Sequence, residues 1–153
     1  MKIDELLKSS SSLQIEKKVI ISLLHTGSTV NSVINETLKS FDISWQQFNV
    51  LRILRGRKGE PATLAVIHEQ MISKTSNTTR LIDKLIKKDF VSKSINIKNK
   101  RKIDVVITSL GLKLLNETDS VMLQIEKDIV NSLTENESLE LIRLLGKIRL
   151  IAN

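Results

Sequence analysis

A chain of 153 residues with 41% apolar residues, one Pro and five Gly is the size of one domain and suits long helices, which excludes a disordered chain or a many-stranded sheet. It contains no cysteine, which excludes disulfides, thiolate chemistry, thiol-based redox sensing and sulfur-ligated metal, and fits a reducing interior. The formal net charge of +7 is concentrated: Lys74 to Asp104 carries ten Lys/Arg against three Asp, and the remaining residues balance.

In chain order, apolar residues first recur at Val19, Ile20, Leu23, Leu24, Val30, Val33, Ile34 and Leu38, a helical stripe that predicts a long helix from Ile15 to Phe41. Ser44 with Gln47 forms a capping box that opens a second helix carrying Phe48, Leu51, Ile53 and Leu54 and stopped by Gly56 and Gly59. Pro61 and Thr63 begin a short helix to about Gln70, and after a break at 71–73 another helix is expected from about Lys74 to Lys88. Two short helices with a tight connection are a helix-turn-helix pattern. Strand periodicity follows: Val91, Ile95 and Ile97 alternate with polar residues, and Ile103, Val105 and Ile107 resume the alternation after the run Lys98-Asn99-Lys100-Arg101-Lys102. This is a hairpin with a basic tip. Helical period returns from Ser109 to Leu133 through Leu110, Leu114, Leu115, Met122, Ile125 and Ile129, and Thr134 with Glu137 caps a last helix bearing Leu141, Ile142, Leu145 and Ile148. There is no internal repeat, and the one low-complexity patch is the serine run 9–12. The fold class expected is mainly α with a small β-hairpin wing: a winged helix-turn-helix at 44–108, flanked by helical segments at 13–41 and 109–153 that form a dimerisation region. The opening MKIDELLKSSSS holds no apolar core of signal-peptide length and no apolar run approaches a membrane span, so a cytoplasmic protein without a membrane partner is expected.

A single basic segment is the footprint of a surface that meets a polyanion, since charge kept for solubility would be spread over every exposed helix. If Thr78, Leu81, Ile82 and Leu85 face the core, then Ser76, Asn77, Thr79, Arg80, Asp83, Lys84 and Lys87 face outward. An α-helix fits the major groove of DNA, where Arg suits guanine, Asn suits adenine, and hydroxyls serve bases or phosphates. Ser76, Asn77 and Arg80 are the expected base readers, within a DNA-binding set of Lys74, Thr75, Ser76, Asn77, Thr79, Arg80, Lys84 and Lys87. An i,i+3 pair of Arg80 with Asp83 on a solvated face is the structural alternative. On the hairpin tip, Lys98, Lys100, Arg101 and Lys102 are placed to reach phosphates, with Arg101 the best candidate for the minor groove.

The segments ISWQQFNVLRIL at 43–54, PATLAVIHEQM at 61–71, SNTTRLIDKLIKKDFVSK at 76–93 and NKRKIDVVITSLGLKLL at 99–115 resemble the MarR (multiple antibiotic resistance regulator) family of bacterial transcription factors. The RLIDKL core at 80–85, followed by a wing and the IT-x-x-G turn into a helix, carries the resemblance. It implies one MarR-like domain over 1–153: a homodimer with interlocked terminal helices that places two lobes on a pseudo-palindromic operator. The family typically represses, and many members are released from double-stranded DNA by small aromatic or anionic ligands bound between the dimer core and the lobe. The wing departs from the family's Asp-x-Arg, reading Asn99-Lys100-Arg101, so Arg101 lacks that acid as an orienting partner. Dimerisation also follows physically, because apolar stripes at both extremes of the chain must be covered.

His25 and His68 are the only histidines and lie on different predicted helices with no metal-ligand spacing around them. His25 and Trp45 are the candidate ligand-pocket residues, although an aromatic that opens a helix also serves as a packing anchor. No nucleophile with a base, no phosphate loop and no paired carboxylates stand out, so a non-enzyme without cofactor or metal is expected. The competing class is a winged-helix module that docks on protein or RNA and uses its basic surface only for general electrostatics.

Overall fold

A computed structural model describes residues 5, 7, 8 and 13–150, and the serine run 9–12 lies outside the described residues. The elements run α1 (Ile15–Lys39), α2 (Trp45–Gly56), β1 (Ala62–Thr63), α3 (Leu64–Gln70), α4 (Thr78–Lys87), β2 (Val91–Ile95), β3 (Ile103–Ile107), α5 (Ser109–Val130) and α6 (Glu135–Arg149). The three strands form one antiparallel sheet in the order β1-β3-β2. This is a winged helix-turn-helix between long terminal helices.

Local chemistry explains the element boundaries. At α2, Ser44 Oγ accepts from the Gln47 backbone N–H while Gln47 Oε1 accepts from the Ser44 N–H, and Thr134 with Glu137 repeats the arrangement at α6. Both capping boxes satisfy amides that the first helical turn leaves without partners. Asp42, Lys58 and Asp89 adopt positive φ beside Gly59 at φ 92°, turning the chain where helices end.

The core is built by the lobe. Phe48, Leu51, Leu54, Ile67, Leu85 and Val105 from α2, α3, α4 and β3 are almost wholly buried, as is Met71 just after α3, and they are joined by Leu38 of α1 and Leu115 of α5. A fully buried side chain of this type contributes about 1.5–3 kcal/mol relative to exposure. Gly111 is fixed by close approach: a Cβ built there would lie 2.3 Å from the Phe90 carbonyl oxygen. Thr108 seals the same joint, its hydroxyl donating to the Asp89 carbonyl at 2.6 Å and accepting from the Gly111 N–H at 3.1 Å.

Several expectations are corrected. The α4 helix starts at Thr78, not Lys74, because Asn77 takes the N-cap position, its Oδ1 accepting from the Arg80 N–H at 3.0 Å. Pro61 does not open α3, since Ala62 and Thr63 first pair with Val105 and Asp104 as a short strand, and Thr63 caps the helix. Such a strand is too short for periodicity to reveal. The first helix ends at Lys39 rather than Phe41, and α5 ends at Val130 rather than Leu133. Within the hairpin only the base is buried: Val91 packs inside whereas Ile95 and Ile97 are exposed, because the wing projects beyond the core. Leu110 is likewise exposed.

The terminal helices keep their apolar stripes uncovered. Only Ile34 and Leu38 of α1 are buried, and α6 buries none of its residues. Ile15, Val19, Leu23 and Val30 of α1 face Leu141 and Leu145 of α6 across an apolar cleft of about 600 Å³. Among the described residues no helix is long and apolar enough to cross a membrane.

Candidate nucleic-acid interface

The helix-turn-helix is locked by buried polar contacts. Asn49, on the buried face of α2, accepts from the Ile72 N–H at 3.0 Å and so fixes the turn between α3 and α4. His68 Nδ1 lies 2.9 Å from Thr78 Oγ1, joining α3 to the first residue of α4. Across the lobe, Arg55 of α2 donates to both carboxylate oxygens of Asp119 on α5, at 2.7 and 3.0 Å. Lys88 pairs with Asp42 at 2.8 Å, holding the end of α4 against the α1–α2 turn. These contacts hold α4 on the lobe as a fixed element.

From that frame α4 presents the face expected of it. Thr78, Ile82 and Leu85 are buried and Leu81 is half-buried, leaving Asn77, Thr79, Arg80, Asp83, Lys84 and Lys87 exposed and Ser76 half-buried. Arg80 does not pair with Asp83, whose carboxylate instead sits 4.0 Å from Lys93 of β2. The guanidinium therefore stays available. Ser76, Asn77, Arg80 and Lys84 line one cleft of about 330 Å³ together with Gln46 of α2, a residue the sequence reading did not single out. Its signal was weak, a polar residue at the start of a helix. With Oδ1 engaged as a cap, Asn77 keeps its amide hydrogens free to donate.

Lys74 and Thr75 lie in the turn before α4. Lys74 Nζ donates to the carbonyls of Glu69 and His68 at the C-terminal end of α3, where a cation meets the negative pole of the helix. Thr75 shares a hydrogen bond with Ser73 at 3.0 Å. On the wing, Lys98, Lys100, Arg101 and Lys102 are all exposed. Asn99 stands where the family has an acid and uses its Oδ1 to accept from the Arg101 backbone N–H at 3.0 Å.

His25 and Trp45 are not brought together. His25 is exposed and lines a cleft with Thr26, Thr29, Val30, Val33 and Ile129. Trp45 packs on Phe48 with ring centroids 5.9 Å apart, and its backbone N–H donates to Asn35 at 3.0 Å. A separate cleft of about 590 Å³ between α1, α2 and the end of α4 is lined by Asn35, Lys39, Asp42, Ile43, Ser44, Gln47, Lys84, Lys87 and Lys88. No cluster of metal-ligating side chains is present among the described residues.

Comparison with known proteins agrees with this geometry. Residues 43–103 match the model of the MarR family. The regulator PecS of Dickeya dadantii (strain 3937), an HTH-type transcriptional regulator, is 24% identical over 140 residues, spanning 89% of this chain and 83% of that protein. A mutant MarR from E. coli, solved in complex with operator DNA, superposes with a TM-score of 0.77 at 24% identity, covering 89% of this chain and 99% of that one. BpsR of Bordetella bronchiseptica, whose DNA binding is regulated by 6-hydroxynicotinic acid, gives a TM-score of 0.77 at 20% identity over 86% of this chain and 98% of that one. Residues 43–103, the helix-turn-helix and most of the wing, thus match the MarR family, and the chain as a whole shares the winged helix-turn-helix fold of these solved structures.

Proposed function

We propose that this protein is a cytoplasmic homodimeric repressor that grips a pseudo-palindromic operator through two lobes and is released by a small aromatic or anionic ligand. The observation that carries the reading is the exposure of both the polar face of α4 and the four cations of the wing tip, in a chain whose apolar terminal helices are left uncovered. A twin covers those stripes and sets two reading helices about 34 Å apart, one turn of B-DNA.

The roles divide by chemistry. Arg80, with a free guanidinium, and Ser76 read base edges; Asn77 contributes an amide donor beside them. Thr79, Lys84, Lys87, Lys98, Lys100 and Lys102 serve phosphates, and Arg101 enters the minor groove. Lys74 and Thr75 contribute by shaping the turn that delivers α4. The four-lysine cleft between α1, α2 and α4 suits an anionic ligand better than the separated His25 and Trp45 do, and an anion there draws Lys84 and Lys87 away from phosphates.

Selection of duplexes from genomic fragments tests the reading. The protein should retain one class of fragment at salt where unrelated DNA has dissociated, because specific binding exceeds the phosphate-driven background by about 10³-fold or more. Arg80→Ala should cost about 1–3 kcal/mol on the selected site and relax one base position, whereas Lys100→Ala should weaken all sequences and lower the salt slope by about one. Equal loss of every fragment with rising salt would favour the module that docks on protein or RNA.

A further inference from the structure

The wing tip is closed by a clasp of three polar side chains. Asn96 Nδ2 donates to both carboxylate oxygens of Asp104, at 2.8 and 3.0 Å, while Asn96 Oδ1 accepts from the Asn99 backbone N–H at 2.8 Å. Asn99 Oδ1 in turn accepts from the Arg101 N–H, the Asn99 carbonyl accepts from the Lys102 N–H at 2.8 Å, and the Asn96 N–H donates to the Lys102 carbonyl at 3.0 Å. Asp104 itself sits on the middle strand, opposite Ser94 of β2 on one side and Thr63 of β1 on the other. The clasp thus ties the tip to the strand that is anchored in the lobe.

Two features make this more than an ordinary turn. Asp104 is the only acid between Val91 and Ile107, yet among the described residues it forms no ion pair with Lys98, Lys100, Arg101 or Lys102; its oxygens face the neutral amide of Asn96. Second, four cations in five residues repel one another and would spread a loose loop, and ordering such a loop on DNA costs conformational entropy. A clasp formed in advance removes that cost and leaves the cations exposed.

The geometry points to Asn96 and Asp104 as positioning residues for the operator: they hold the wing tip in the form that delivers Arg101 to the minor groove, the part that the missing acid at position 99 would otherwise play. This rests on the operator reading above. It also sets electrostatics and positioning in opposition at Asp104. Removing a carboxylate near phosphates should tighten binding to any DNA, whereas opening the clasp should weaken binding to the operator.

The test uses the full-length protein and two duplexes: the one that it best retains from a random-sequence pool, and a mixed-sequence control. Asn96→Ala, which leaves the charge unchanged, and Asp104→Ala should each lose about tenfold in affinity for the selected duplex, whereas on the control Asn96→Ala should lose less than about twofold and Asp104→Ala should bind no more weakly than wild type. Dimethyl sulfate footprinting supplies the readout that general destabilisation would not give. Protection of adenine N3 in the minor groove should disappear in both variants while protection of guanine N7 under α4 remains. Tighter binding of Asp104→Ala to the selected duplex, unchanged affinity in Asn96→Ala, or parallel loss at both grooves would overturn the assignment. Retention of no duplex by the wild-type protein would instead bring down the operator reading, and the clasp's role with it.

Discussion

The lobe and the terminal helices are both helical and amphipathic, yet they solve the burial problem differently. Within the lobe, Leu51, Ile67, Leu85 and Val105 are wholly buried by neighbours in the same chain. On α6 no residue is buried, and α1 leaves Ile15 at 68% and Leu24 at 70% exposure. An apolar side chain gains free energy only when something covers it. One region therefore closes its core within a single copy, and the other leaves its apolar faces open. In the proposed function base reading falls to the buried-core part, and the spacing between two readers to the part left uncovered.

The largest expected effect comes from attacking the uncovered part alone. Leu24 and Ile142, exposed at 70% and 61%, should move into the twin's interface, so Leu24→Glu with Ile142→Glu buries charge only in the dimer. The dimer dissociation constant should rise by about a thousandfold or more, roughly 4 kcal/mol, as read by sedimentation equilibrium. Helical circular dichroism of the lobe and its thermal transition at low concentration should persist. Unchanged self-association would show that these faces are not the contact, and the comparison would fail.

A smaller effect is expected at the joint between the two regions. Gly111→Ala drives a Cβ against the Phe90 carbonyl, a backbone atom that cannot swing aside as a flexible side chain would. We expect a loss of about 2 kcal/mol in unfolding free energy, measured by urea denaturation. Because the same turn sets where α5 leaves the wing, the variant should also lower operator affinity beyond its stability change. Normal stability would mean that the backbone yields there, and the lobe and α5 would be less rigidly joined than the Thr108 contacts indicate.

What the sequence made legible follows the same division. The helices were readable wherever a stripe met a cap, as at Ser44–Gln47 and Thr134–Glu137, because both signals are local. Membership of the outward face of α4 was readable from the spacing of Thr78, Ile82 and Leu85. The start of α4 was not, because Asn77 reads equally well as a helical residue or as a cap, and only the turn fixed by Asn49 and Ile72 decides. Strand β1 and the neighbours of Gln46 were invisible for a related reason: both arise from contacts between segments far apart in the chain. Position 99 gives the clearest case. Sequence showed an acid missing from the wing, while the acid that orders the tip, Asp104, lies on the returning strand and acts through Asn96.

The smallest effect concerns the start of α6, and its sign can be worked out. The Glu137 carboxyl is held below the usual glutamate range, first by the Thr134 backbone N–H and then by the Thr134 hydroxyl. A carboxylate depressed in the folded state adds stability that is present above its unfolded pKa and fades as pH falls through the folded one. Amides in the first turn of α6 should therefore exchange hydrogen faster, relative to their intrinsic rates, at acid pH below the ordinary glutamate range than at neutral pH. In Glu137→Gln, which keeps an acceptor without the charge, that acid-induced loss should be absent. Since no residue of α6 is buried within its own chain, its first turn relies on this cap and, in the proposed dimer, on the twin. Comparing dilute and concentrated samples then separates the two contributions: loosening that vanishes at high concentration belongs to the interface, and loosening that persists belongs to the cap.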